Sequence, residues 1–329
     1  MKLDMKNCGQ ANNVFFLAVN TGFAFEGVPD QRAIDFYAAR SKHGLKCAIV
    51  GNVVIPGGSA TNNVSSVISS HPMWKDLARS ISTSGAEPGI QLSSTWPGYQ
   101  GMRKFVSPEL SQSLISYKQT GESFSREFVK NSFDRLMSGT RLAVESGFRH
   151  IQLHAAHGYL FNLLIDPRFS NHADYFQSLV NRWAIKLRDI NVETSIRFSL
   201  YSGDKSFDEQ GSDEFIPKIC NLSVDYLDIS AGLYNLNKRL IYPATAEIVS
   251  YRQSKSLDLA ISYPKAKFIV SGKASNLLKE NIPHNAHIGL CRDLIANADF
   301  LENMNFGCNN CNKCHYFSRN SKFLTCGRW

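Results

Sequence analysis

Hydrophobic residues along the chain fall into short, almost continuous runs separated by longer stretches with helical spacing. The runs are 14–19 (VFFLAV), 46–50 (KCAIV), 89–92, 150–153 (HIQL), 194–199 (TSIRFS), 226–229 (YLDI), 267–270 (KFIV) and 286–290. Each has the length of a strand, and apolar residues on both faces suit a parallel sheet covered on both sides. Helix-like segments lie between them at 30–42, 72–84, 125–146, 173–189, 212–220, 244–256, 275–280 and 293–296. In 126–146, for example, Phe128, Val129, Phe133, Leu136, Met137, Leu142, Ala143 and Val144 fit one helical face. Eight strands alternating with eight helices predict an α/β fold, a (β/α)8 TIM barrel over residues 1–300, followed by a short cysteine-rich C-terminal tail over 301–329. The rival is a doubly wound open sheet, but no Gly-x-Gly-x-x-Gly follows an early strand, and Gly57-Gly58-Ser59 reads as a turn. The stretch 93–123 carries Pro97, Gly98, Gly101, Pro108 and Gly121 and reads as a long loop after the third strand. Loops at that end of a barrel shape substrate sites.

Composition narrows the class. With 43% hydrophobic and 19% charged residues the chain is that of a globule rather than a disordered polymer. No run approaches the ~18 apolar residues of a membrane helix, so no membrane partner is expected. The polar start, 1–13, does not read as a secretory signal, and a cytoplasmic location is the expectation. The formal net charge of +8 is spread along the chain without a basic block, which argues against nucleic acid as a partner. It fits solubility plus one anionic ligand.

Two clusters could carry chemistry. His154-Ala-Ala-His157-Gly158-Tyr159 sits just past the fourth strand, where barrel enzymes place catalytic groups. Its imidazoles could ligate a metal or donate to an oxyanion, and the Tyr159 phenol, with an ordinary pKa near ~10, could donate a proton. The alternative is a polar turn. The second cluster is Cys308-x2-Cys311-x2-Cys314-x11-Cys326, four thiols at ligand spacing, whereas Cys8, Cys47, Cys220 and Cys291 are isolated. A tight triple plus a distant fourth suits a 4Fe-4S cubane better than a zinc ribbon, with structural zinc and free thiols as alternatives. His315 could replace one thiol in a zinc site.

The segment 151–168, IQLHAAHGYLFNLLIDPR, resembles the Old Yellow Enzyme family of FMN-dependent oxidoreductases, the NADH:flavin oxidoreductases. So do FLAVNT at 16–21, the segment 72–84 followed by Ile90-Gln91-Leu92, YFQSLVNR at 175–182, and Ile288-Gly289-Leu290-Cys291-Arg292 with Asn297 to Asp299. The resemblance implies a barrel holding FMN at the strands' C-terminal ends. It places Thr21 near flavin N5 and O4, Gly51 close under the ring, Gln91 at the pyrimidine edge and Arg197 near N1 and O2. Gly272 and Arg292 would hold the phosphate, with Cys291 beside them. His154 and His157 would clamp a substrate carbonyl oxygen, and Tyr159 would protonate the α-carbon. For Arg197, a buried ion pair is the competing role.

Several positions depart from the family pattern. Val19 and Asn20 replace a Pro and a Met or Leu. Ser93-Ser94-Thr95-Trp96 replaces Trp-His-Ala-Gly-Arg, Phe176-Gln177 replaces Gly-Gly, and Cys291 replaces a glycine. Trp96, Tyr99 and Met102 could form an altered pocket wall or simply pack the loop down.

The tail is similar to the cluster motif of the dienoyl-CoA reductase and trimethylamine dehydrogenase branch, including its Cys-Asn step at Cys311-Asn312. In that branch a further flavin- and nucleotide-binding region follows. Within these 329 residues none does, which points to NAD(P)H or an external electron-transfer protein as donor. The expected function is hydride transfer between flavin N5 and a carbonyl-conjugated small molecule, with oligomerisation left open. Two alternatives remain: a flavin-binding redox sensor with a zinc tail, and a zinc-knuckled nucleic-acid binder.

Overall fold

A computed structural model describes residues 12–329; the first eleven, Cys8 among them, lie outside the described residues. Eight parallel strands close into a barrel: β1 (Val14–Phe16), β2 (Cys47–Val54), β3 (Glu87–Ser93), β4 (His150–Ala155), β5 (Glu193–Ser199), β6 (Tyr226–Ser230), β7 (Phe268–Val270) and β8 (Ala286–Leu290). Consecutive strands pair throughout, and β1 closes the ring by pairing with both β2 and β8. All eight fall on the hydrophobic runs of the sequence. A two-stranded hairpin of Ala24–Phe25 and Val28–Pro29 follows β1. No helix among the described residues is long and apolar enough to cross a membrane.

Strand alternation sorts the side chains. Outward residues such as Phe16, Ala48, Ile90, Ile151 and Ile196 join the core between barrel and helices, together with Trp74, Phe133 and Trp183. Fully burying a side chain of this kind contributes about 1.5–3 kcal/mol. Inward residues Phe15, Leu17, Cys47, Ile49, Tyr226 and Ile269 form a separate apolar plug inside the barrel. The helices begin where short polar side chains offer an acceptor. Asp30, Ser125 and Thr245 cap Gln31–Arg40, Arg126–Glu145 and Ala246–Ser262, each accepting from a first-turn backbone N–H. Such a cap contributes about 1 kcal/mol.

Two expectations are corrected. The stretch 93–123 is not loop throughout, because Leu110–Glu122 is a helix. Only Tyr117 and Gly121 of that helix are buried, so it has no broad apolar stripe to announce it in sequence. The helix begun at 244–256 runs on to Ser262, since its buried face is built from Arg252, Gln253 and Ser256 as well as Leu259 and Ala260. Short helices at Leu160–Ile165, Lys205–Glu209 and Lys238–Ile241 are also absent from the sequence reading.

The N-terminal end of the barrel is closed by charge. Lys46 Nζ bonds Glu87 Oε2 at 2.7 Å and Glu193 Oε1 at 3.2 Å, while His150 Nδ1 meets Glu193 Oε2 at 3.4 Å. Burial alone would raise the Glu193 pKa, but His150 and Lys46 pull it down to about 2. A carboxylate depressed in the folded state adds stability above its unfolded pKa, and that stability fades as pH falls toward the folded value. Glu193→Gln is therefore expected to melt below wild type at neutral pH, with the gap closing between about pH 5 and pH 2. Thermal midpoints measured across that range check this, and a gap independent of pH contradicts it.

Candidate active site

The C-terminal ends of the strands surround a cavity of about 210 Å³. Cross-strand pairing places His154, Arg197 and Asp228 on adjacent strands at one level, with Gln91 and Gln152 paired one step away. Gln91 Nε2 donates to Gln152 Oε1 at 2.5 Å, and Gln152 Nε2 donates to Asp228 Oδ2 at 3.2 Å. Arg197 Nη1 donates to the same oxygen at 2.6 Å, and Nη2 to Ser230 Oγ at 3.2 Å. Arg197 is thus both ion-paired and part of the cavity wall.

The structure brings most of the sequence candidates to this cavity. Gln91, His154, His157, Tyr159, Arg197, Gly272, Cys291, Arg292 and Cys314 all line it. Thr21 and Gly51 do not; their neighbours Ala18, Val19, Asn20 and Asn52 do. Thr21 Oγ1 accepts from the Phe23 N–H at 3.1 Å. Gly51 is wedged beneath the wall, where an added Cβ would stand 2.8 Å from Gln91 Cβ and 3.2 Å from Ala18 Cβ.

His154 is placed by the end of β4 itself, His157 by the turn that follows. His157 has φ 64° and Gly158 φ 78°, a consecutive left-handed pair that bends the chain sharply. The His157 N–H donates to Ser199 Oγ at 2.9 Å, and its Nε2 meets Ser230 Oγ at 2.7 Å. His154 Nδ1 accepts from the Ala156 N–H at 3.4 Å, which leaves the ring proton on Nε2. The rings lie 5.2 Å apart at 80°. Burial first, and the Arg197 charge second, lower the His154 pKa to about 3; the same causes push His157 well down. Both imidazoles are neutral at ordinary pH and available as hydrogen-bond donors.

An aromatic wall continues from them. The Tyr159 ring lies 4.8 Å from His154 and stacks on Tyr234 at 5.4 Å and 6°. Tyr99 meets Tyr159 edge-on at 5.6 Å, and Trp96 packs on Tyr99 and Tyr117. Of the three loop residues, Tyr99 and Met102 line the cavity, while Trp96 packs behind Tyr99. The Tyr234 hydroxyl in turn bonds that of Tyr242. Burial and the neighbouring tyrosines raise the Tyr159 pKa, so the phenol keeps its proton.

The far end of the cavity is cationic. Arg252 is fully buried and Nη2 donates to Ser271 Oγ at 2.6 Å, but its Nε has no partner. Arg292 donates through Nη2 to the Pro243 carbonyl, and its buried Nη1 is unpartnered. Gly272, at φ 89°, lets the backbone lie directly on the Arg252 guanidinium, where a Cβ would come within 2.7–2.9 Å. Orphaned guanidinium N–H groups beside an open backbone fit an anion such as a phosphate.

The tail closes over this end. Tyr316 and Leu324 are buried in the main core, and Tyr316, Phe317 and Ser318 line the cavity. The Leu324 N–H donates to the Thr21 carbonyl at 2.8 Å. The Asn310 N–H meets Cys308 Sγ at 3.3 Å. The neighbouring backbone N–H groups of Lys313 and Gly327 lower the Cys311 pKa, whereas burial raises Cys314 to about 11.

The sequence pattern of the NADH:flavin oxidoreductase / NADH oxidase family matches residues 21–310. The chain belongs to that family. An NADPH dehydrogenase of Geobacillus sp. (strain WCH70) is 24% identical over 68% of this chain and 67% of its own length. The structure of Old Yellow Enzyme from Pichia sp. AKU4542 superposes with a TM-score of 0.65 at 14% identity, covering 89% of this chain and 83% of that one. A complex of 2-naphthoyl-CoA reductase with 2-naphthoyl-CoA gives 0.70 at 16% identity, over 97% of this chain and 55% of the other. Among the curated relatives it matches, the chain spans 33% to 67% of their length. The family is one of FMN-linked, NAD(P)H-linked oxidoreductases, and the barrel is the fold expected from the sequence.

Sequence reading missed Gln152, Asp228, Tyr234, Lys238, Tyr242 and Arg252. Asp228 had a signal, a lone acid in an apolar strand (YLDIS); Arg252 and Lys238 sit in polar stretches that look solvated. Gly272→Ala should displace the Arg252 guanidinium at a φ that only glycine adopts freely. The expected result is at least about a ten-fold loss in FMN affinity, read by flavin fluorescence titration of the stripped protein. Unchanged affinity would separate Gly272 from the flavin.

Proposed function

We propose that the chain is an FMN-dependent oxidoreductase acting on a carbonyl-conjugated small molecule, with electrons from NAD(P)H or an external redox partner. FMN, when bound, supplies or accepts hydride at N5. The observation that carries the reading is the pair of buried, neutral imidazoles set against Tyr159 in a cavity whose wall includes Arg197.

His154 and His157 would hold the substrate carbonyl oxygen, and their N–H groups meet the negative charge that builds there. A donor preorganised in this way contributes about 3 kcal/mol to the transition state. Tyr159 would deliver a proton to the α-carbon, and its stacking on Tyr234 holds the ring against His154. Arg197, anchored by Asp228, would present positive charge to the pyrimidine side of the flavin, with Gln91 bonding its edge. Gly51, wedged beneath the wall, would let the ring approach closely, whereas Thr21 stands outside the cavity and its place beside N5 falls to its neighbours Ala18, Val19 and Asn20. Gly272 and Arg292 would hold the phosphate beside Cys291, and Arg252 joins them.

The thiols Cys308, Cys311, Cys314 and Cys326 would hold a 4Fe-4S cluster. The N–H groups aimed at sulfur suit bound thiolate. Cys314 lines the cavity, so the cluster would sit beside the flavin as an electron relay. The larger dienoyl-CoA reductase branch is the one this arrangement suits.

Two outcomes are expected. Tyr159→Phe should keep FMN and its reduction by NAD(P)H while slowing reoxidation by an enone about a hundred-fold or more, measured by anaerobic stopped-flow absorbance. Unchanged reoxidation removes Tyr159 from the mechanism, and a wild-type protein whose reduced flavin ignores enones favours a redox-sensing role. Protein purified without air should contain iron and acid-labile sulfide, both lost in Cys326→Ser; zinc alone would remove the relay.

A further inference from the structure

Lys238 opens the short helix Lys238–Ile241 at the cavity wall and is 2% exposed. Two loops hold it there. Its backbone N–H donates to the Phe105 carbonyl at 2.7 Å. Asn235 takes the Met102 N–H on Oδ1 at 2.8 Å and donates Nδ2 to the Gln100 carbonyl at 2.9 Å. The ammonium donates to the Met102 carbonyl and lies 5.5 Å from the Tyr234 ring centroid.

Some buried or half-buried cations in this protein have carboxylates: Arg197 has Asp228, Arg168 has Asp166, and Lys46 has Glu87 and Glu193; Arg40 and Arg252 instead donate to several carbonyls and hydroxyls. Among the described residues Lys238 has no carboxylate within ion-pair distance. An ammonium has three N–H donors, and one carbonyl accounts for only one of them. The other charged side chains of the cavity wall are mostly cations too, since Arg197, Arg252 and Arg292 line the same cavity. A desolvated cation with unspent donors in a ligand cavity is a place for an anion.

Its position relative to the chemistry is defined by the stacked tyrosines. The order along the wall is His154, Tyr159, Tyr234, Lys238, with Tyr159 and Tyr234 face to face. The orphaned guanidinium groups of Arg252 and Arg292 belong to the Gly272 end, already assigned to the flavin phosphate. One ammonium without a cluster of backbone N–H groups matches a carboxylate better than a phosphate dianion.

We propose that the substrate is an anionic enone: an α,β-unsaturated carbonyl compound that also carries a carboxylate, with the carbonyl at His154 and His157 and the carboxylate on Lys238. This deepens the proposed function and rests on it for the placement of the carbonyl. The same hydride and proton transfers apply, and the carboxylate only binds.

The test uses the FMN-loaded protein and two matched pairs of probes. Oxidised protein is titrated calorimetrically with the saturated, unreactive 4-oxo-4-phenylbutanoic acid and with its methyl ester. The acid is expected to bind at least ten-fold tighter. Lys238→Met should bring the acid-to-ester ratio to near one, and Lys238→Arg should keep most of it. An acid that binds no tighter than its ester overturns the proposal, as does a preference unchanged in Lys238→Met. The wild-type comparison decides the matter even if a variant loses its flavin. Anaerobically reduced protein is then mixed with the unsaturated acid and ester. A Lys238-dependent preference in binding, with no reoxidation by either compound, supports the carboxylate site and rejects the hydride-transfer reading.

Discussion

A carboxylate sealed inside the barrel organises the cavity from outside it. Asp228 is fully buried and accepts from Arg197 and Gln152 on one oxygen. An ion pair removed from water carries a large desolvation penalty, and taking away one member leaves the other stranded. Without Asp228 the Arg197 guanidinium would lose its anchor, Gln152 its acceptor and Gln91 its orientation. Burial keeps His154 and His157 uncharged, and the same guanidinium adds to that effect. One buried acid thus sets the direction of the polar floor.

The two ends of the barrel use charge differently. At the N-terminal end, Lys46 is matched by Glu87 and Glu193, and the cluster is internally satisfied. At the C-terminal end positive groups outnumber their acids: Arg197 is paired, while Arg252, Arg292 and Lys238 lean on main-chain carbonyls and hydroxyls. A balanced cluster stabilises the fold, and an unbalanced one stores attraction for anions that arrive from outside. The scattered net charge of the chain, uninformative as a list, becomes informative when the fold shows which cations lack partners.

That contrast also describes how much was legible in the sequence. Strands facing core on one side and packed barrel on the other carry short, dense apolar runs, so all eight stood out, as did the histidine pair at the end of β4. The helix Leu110–Glu122 did not, because it buries only Tyr117 and Gly121 and has no continuous stripe. Arg252 lies in YRQSKS, a pattern that reads as a solvated helix face, yet it is 1% exposed because the chain end of β7 folds against it. Lys238 is hidden in the same way. Long cations cannot be assigned to surface or cavity until distant segments close around them, and here the closing segments are 99–106 and the tail.

The tail has a bearing on how the protein comes together. Leu324 clips to Thr21, the Trp329 indole N–H reaches the Ile295 carbonyl at 2.9 Å, and Cys308 N–H binds Asp293 Oδ1 at 2.9 Å. These contacts latch the last segment across the barrel mouth that Tyr316 and Phe317 help to wall. Loss of the last segment would therefore take away part of the cavity wall together with the thiols.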